Sequence, residues 1–290
     1  MRHSDRRRLS ARRARQTICA TLALAAALRV FAGEDPDPIS DPGHFDAIVS
    51  LTPPAASGAR VEVDIANTFP RDFASQRVLI PANFGDFAGG PYKTDDPGWV
   101  VAAGGLLPGE ALCYRALGQL QFWDNTRQRW SAAAPRAETV RLFGEVPAEV
   151  LLRNDPTEIA HYQQGTVWRI DGLAGPREAV IQVADGNGAV HAHLDFCVQD
   201  ETGDCTLPGL GHSGNPSVGA YLIELQLFVA VMEGGRAKYR SSNPLFIVLN
   251  RGLSSADFQR AVASRTTPPP NAPGQRLPAA GILILSKARW

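Results

Sequence analysis

The stretch from Gly219 to Val231 constrains this chain most. Tyr221, Ile223, Leu225, Leu227 and Val229 recur at every second position, with Glu224 and Gln226 between them. A period of two belongs to a β-strand with one buried face, because successive side chains of a strand point to opposite sides. Such a strand needs neighbours, and the chain supplies them. Phe45, Ala47, Val49 and Leu51 alternate with Asp46, Ile48 and Ser50. Further short strands are predicted at 60–65, 77–80, 99–102, 117–123, 138–143, 166–170, 179–184 and 245–250. Clusters such as Gly89-Gly90-Pro91 and Gly104-Gly105 separate them.

Helical periodicity is scarce. One helix is predicted after Ser254 or Ser255, which cap it, with Phe258, Ala261 and Val262 as its apolar stripe. It stops before Thr266-Thr267-Pro268-Pro269-Pro270. Many short strands between turn signals indicate an all-β fold: an antiparallel β-sandwich or jelly-roll-like double sheet with one short C-terminal helix. The predicted organisation is a signal peptide over 1–32, a linker over 33–43, a β-sandwich domain over 44–265 and a Pro-rich tail over 266–290.

The leader reading rests on a basic start (Arg2, Arg6, Arg7, Arg8, Arg12, Arg13, Arg15), an apolar run from Ile18 to Leu28, and the small-residue site Val30-Phe31-Ala32. The apolar run is shorter than the roughly 20 residues that a membrane-spanning helix needs. A secreted or periplasmic location is therefore expected, with no transmembrane segment. The leader holds eight of the 29 basic residues and one of the 29 acidic ones. The remaining chain has 21 bases against 28 acids, a net charge of about −7. That balance opposes a nucleic-acid partner, since phosphate backbones are bound by clustered Lys and Arg.

Three cysteines lie beyond the leader. Cys197 and Cys205 bracket a polar loop and are the expected disulfide, which an exported chain permits. Cys113 reads as a buried small side chain, although pairing of Cys113 with Cys197 is the alternative.

Chemistry concentrates in Val190-His191-Ala192-His193-Leu194-Asp195-Phe196-Cys197-Val198. Asp185-Gly186-Asn187-Gly188 precedes it, so 179–184 and 190–198 read as the two arms of a hairpin. Alternation then places His191, His193, Asp195 and Cys197 on one face, with Ala192, Leu194, Phe196 and Val198 on the other. Two histidines at i and i+2 lie roughly 6–7 Å apart along a strand, close enough for both rings to reach one ion. The strand at 45–51 offers His44 and Asp46 on a single face. The expected metal ligands are therefore His44, His191 and His193, with Asp46 or Asp195 completing the set. Imidazole donors suit zinc or copper. Glu224 is a candidate to support a ligand from the central strand. His161 and His212 fall in loop-like sequence.

Several phrases together resemble a family of secreted bacterial proteins of the PEP-CTERM-associated kind with a His-x-His strand. They are Gly43-His44-Phe45-Asp46, Thr94-Asp95-Asp96-Pro97-Gly98-Trp99, His191-Ala192-His193, the run from Gly219 to Leu225, and Asn243 to Asn250. The tail at 277–290 has the outline of that sorting signal but lacks its Pro-Glu-Pro triplet. The resemblance implies a secreted, metal-handling protein; some similar proteins are expressed under zinc limitation.

Familiar enzyme signatures are missing. The chain has no Gly-x-Ser-x-Gly elbow, no Gly-Lys-Ser/Thr phosphate loop and no His-Glu-x-x-His. The leading expectation is a non-enzymatic secreted β-sandwich that binds zinc or copper. The alternatives are a metal-dependent extracytoplasmic enzyme using the same ligands, and a metal-free adhesion or carbohydrate-binding module. In the last case exposed Trp99, Trp123, Trp130 or Trp168 would stack on the ligand.

Overall fold

The computed structural model describes residues 45–53, 56, 58–85, 90–144, 148–203, 205, 214–233 and 236–268. The expected signal peptide, the linker, His44, His212 and the end of the tail lie outside the described residues. The strands in chain order are β1 (Asp46–Thr52), β2 (Arg60–Val63), β3 (Leu79–Asn83), β4 (Lys93–Thr94), β5 (Gly98–Val101) and β6 (Ala111–Asp124). Next come β7 (Arg129–Ser131), β8 (Thr139–Leu142), β9 (Thr166–Arg169), β10 (Gly172–Ala174), β11 (Glu178–Val183) and β12 (Val190–Ala192). The last are β13 (Phe196–Gln199), β14 (Gly219–Val229), β15 (Met232–Glu233), β16 (Arg236–Ala237) and β17 (Leu245–Arg251). Helices α1 (Ala148–Arg153) and α2 (Pro156–Gln163) sit between β8 and β9, and α3 (Ser255–Thr266) follows β17.

These strands form an all-β, sandwich-like fold. One sheet has the order β12-β5-β1-β2, a second β10-β9-β8-β13-β4, and a third β11-β6-β14-β17-β3 with β7 attached to β6. Strands β15 and β16 make a separate ribbon. Most pairs are antiparallel, but β1 runs parallel to β5, and β17 to β3. The architecture thus differs from a simple double sheet, because three sheets share a core. Ala47, Val49, Leu51 and Trp99 enter that core from the first sheet, Val140, Leu142, Trp168 and Phe196 from the second, and Tyr221, Ile223, Leu225 and Leu227 from the third.

Strand β14 carries the period-two face as expected, and it is also covered behind. Ala220 and Leu222, on its reverse side, pack with Trp123, Phe246, Val248 and Ala261 of α3. The helix is held there by its cap and by one ion pair. The Ser254 hydroxyl accepts from the Asp257 amide at 3.2 Å, and Arg265 meets the buried Asp72 carboxylate at 2.8 Å.

Two expectations need correction. The turn at 185–188 forms: the Asp185 carboxylate accepts from the amides of Asn187 (2.8 Å) and Ala189 (2.9 Å). The strands it joins do not pair as a hairpin, however. The ladder partner of β11 is β6 in the third sheet, and that of β12 is β5 in the first. Nor does one unbroken strand run from His191 to Val198. It stops after Ala192, and the chain resumes in another sheet at Phe196.

That break is a corner shared by two chain segments. Thr94 of β4 faces Phe196 of β13 in the second sheet, and Trp99 of β5 faces Ala192 of β12 in the first. The β4–β5 segment and the β12–β13 segment thus run as one antiparallel ribbon that changes sheet halfway. Residues 95–98 cross on one side and 193–195 on the other, so one arm carries an extra residue. A two-against-one mismatch of this kind bends a ribbon and lets its strands switch sheets. The Asp96–Pro97 bond within the longer arm is cis.

Candidate metal site at the sheet corner

The first sheet sets the site by register. Asp46 on β1 lies beside Gly98 on β5, and His191 on β12 lies beside Val100, two residues further along β5. Extending the β12–β5 register by two residues brings His193 opposite Gly98. Asp46 and His193 therefore flank a residue with no side chain, and His191 stands next to His193 on the same outer face. The inward positions Ala47, Val49, Trp99, Val101 and Val190 are buried, so alternation forces Asp46, Val100 and His191 outward.

Three ligand-capable atoms converge there. His193 Nε2 lies 3.3 Å from His191 Nε2, and Asp46 Oδ1 lies 3.4 Å from His193 Nε2 and 3.6 Å from His191 Nε2. Asp46 Oδ1 is shielded from solvent and accepts no hydrogen bond among the described residues. Gly98 makes the convergence possible. A Cβ built on it would come within 2.2 Å of Asp46 Oδ1 and 2.6 Å of His193 Nε2.

The other nitrogen of His193 faces the corner loop. Its Nδ1 lies 3.2 Å from the Asp95 backbone carbonyl and 3.8 Å from the Asp95 carboxylate. A carbonyl oxygen only accepts, so this contact makes Nδ1 a donor to the corner loop and turns Nε2 toward Asp46 and His191. Asp96 accepts from the Phe45 amide at 3.2 Å, which ties the start of β1 to the same loop. Asp95, Asp96 and His193 form a second group whose ligand atoms lie mutually within 4.8 Å, as those of Asp46, His191 and His193 do. Either group could hold a metal ion, and His193 belongs to both.

The turn before β12 holds this edge in place. Its Gly188 has φ +74°, and an added Cβ would fall 2.0 Å from the Leu106 carbonyl oxygen. Beyond the turn, the His191 amide donates to the Gln182 side chain at 2.9 Å, which occupies the outer edge of β12.

Of the residues expected from sequence, the fold brings together Asp46, His191 and His193. Asp195 keeps its outward direction but belongs to neither group, because the chain has already turned toward β13. Its carboxyl is pushed above the ordinary value by its crowded surroundings, against the pull of the Lys93 charge. Cys197 is bonded to Cys205, so it is not a thiolate donor, and the pair packs against Phe143. Cys113 is buried and lies outside that bond, as expected. His161 is exposed on α2, away from both groups, and Glu224 is ion-paired with Arg77 on the third sheet.

Gly98 and the Asp95-Asp96 pair escaped the sequence reading as site residues. The only hint was the turn-like Asp-Pro-Gly in Thr94-Asp95-Asp96-Pro97-Gly98-Trp99. The tryptophans offer no stacking platform among the described residues. Trp99, Trp123 and Trp168 are buried, and Trp130 donates from its indole to Ser264 Oγ at 3.0 Å on the inner side of α3. No helix among the described residues is long and apolar enough to cross a membrane. No known family model matches the chain, and no curated protein is significantly similar to it.

Proposed function

We propose that this is a secreted metal-binding protein whose ion, zinc or copper, is held by Asp46 Oδ1, His191 Nε2 and His193 Nε2. One observation carries the reading: the spacing of the three donors. An ion about 2.0–2.2 Å from each ligand in tetrahedral geometry holds any two of them about 3.3–3.6 Å apart. The three separations are 3.3, 3.4 and 3.6 Å, the edges of one face of such a tetrahedron. Asp46 Oδ1 is shielded from solvent and accepts no hydrogen bond among the described residues, so a cation there would satisfy a buried acceptor. Two imidazoles and one carboxylate favour zinc or copper over calcium or magnesium, which prefer all-oxygen shells.

Export is supported by the basic-apolar leader and by a disulfide of the kind that persists in oxidising compartments. Binding rather than catalysis is the role favoured, in keeping with the missing enzyme signatures. The deciding measurement is elemental analysis of the purified protein beside a His191→Ala/His193→Ala double variant. The reading expects close to one equivalent of metal in the native protein and little in the variant. Equal metal in both would remove it.

A further inference from the structure

We propose that the fourth coordination position of this ion points away from the sheet and takes an exchangeable ligand, a water or a small monodentate anion. The inference rests on the metal-site reading above and adds what the site does with its remaining vertex. A tetrahedron with one face made by Asp46, His191 and His193 can place its fourth vertex on only one of two sides. The sheet side is closed. The point where a Gly98 Cβ would sit is 2.2 Å from Asp46 Oδ1 and 2.4 Å from His193 Cε1, and the Gly98 backbone lies directly behind it. No further donor fits between that backbone and the three ligands.

The opposite side is the outer face of the sheet, where the three side chains are part-exposed. The side chains of His191, Asp46 and His193 are 36%, 32% and 24% exposed, and Ile48, two residues from Asp46 on the same face of β1, is 53% exposed. Charge at the ion admits a small anion as well as water. One divalent ion, one carboxylate and two neutral imidazoles leave a single positive charge for a fourth ligand to neutralise. Three protein ligands with an open vertex form the arrangement that lets a metal bind and polarise an outside molecule, whereas structural zinc sites are closed by four protein ligands.

Cobalt(II) is the probe, because its visible spectrum reports changes at the ion directly. The whole chain is loaded with cobalt(II) and titrated with sodium azide, alongside His44→Ala and His191→Ala/His193→Ala variants. The proposal expects a saturable change of the cobalt bands in the native chain, with a similar midpoint in His44→Ala. If cobalt binds but azide leaves the spectrum unchanged, the vertex is closed and the proposal is overturned while the metal site stands. A response confined to His44→Ala also overturns it, by assigning the fourth position to His44. Failure of the native chain to bind cobalt, or equal binding by the double variant, removes the site and the proposal together.

Discussion

At the scale of single residues, the site depends on a side chain that is absent. Gly98 has an ordinary extended backbone, so alanine there meets no conformational penalty and would relieve the roughly 0.5–1 kcal/mol that glycine costs inside a strand. Its Cβ would nevertheless collide with Asp46 Oδ1 and His193. Gly98→Ala should therefore weaken metal affinity by at least about tenfold, the scale seen when ligand-orienting neighbours are lost, while the metal-free protein stays folded. Calorimetric titration with zinc checks this; an unchanged affinity would mean that these three donors are not the site. Asp46 and His191 were legible in the sequence because alternation along a strand fixes which side chains share a face, and His193 follows where the β12–β5 register extends just past the end of β12. Gly98 and Asp95 were not, because they reach the site through the parallel β1–β5 pairing and a corner between sheets. Neither leaves a periodic trace.

At the scale of elements, the period-two strands and the capped C-terminal helix could be read directly, since each declares itself within a dozen residues. Helices α1 and α2 were missed because their apolar residues make no stripe. Their one local signal is Asp155-Pro156, where Asp155 Oδ1 accepts from the Thr157 amide at 2.8 Å and proline sits at the first helical position. Attachment of α3 gives a testable case. Burial pushes the Asp72 carboxyl up, but hydrogen bonds from the Ser75 hydroxyl and amide and the Arg265 charge outweigh it, leaving the pKa below the ordinary value. A depressed carboxyl pKa stabilises the fold above the unfolded value near 3.9, and the contribution is lost as pH falls through the folded value. Asp72→Asn should cost about 1–3 kcal/mol at pH 7 and show a smaller penalty at pH 3, as read by urea denaturation. An equal penalty at both pH values would show that the charge of Asp72 is immaterial. The disulfide makes a similar local claim. Cys197 and Cys205 are eight residues apart, and closing so short a loop contributes about 2–3 kcal/mol. A Cys197→Ala/Cys205→Ala variant should melt several degrees lower in a thermal scan, and an unchanged melting temperature would contradict that contribution.

At the scale of the whole molecule, metal and fold are linked because the three donors come from strands β1 and β12 and from the corner that joins two sheets. Asp46 and His193 are 147 positions apart in the chain, so an unfolded chain cannot present them together. An ion bound to the native state alone stabilises it by about 2.7 kcal/mol at a free concentration 100 times its dissociation constant. Protons compete with a metal ion for imidazole nitrogens, so metal affinity weakens as pH falls. The metal-linked stability is therefore present at neutral pH and fades on acidification. This window is separate from that of Asp72, whose contribution persists until the carboxylates titrate. Melting curves at pH 7.5 should drop by several degrees when a chelator is added to the zinc-loaded protein. At pH 5 the same chelator should change little, because protons have already displaced the metal and the carboxylate contacts are intact. Coincident curves at pH 7.5, with metal loading verified beforehand, would break the link between this site and the fold. A chelator effect of equal size at both pH values would show that the ion is held by carboxylates rather than by His191 and His193.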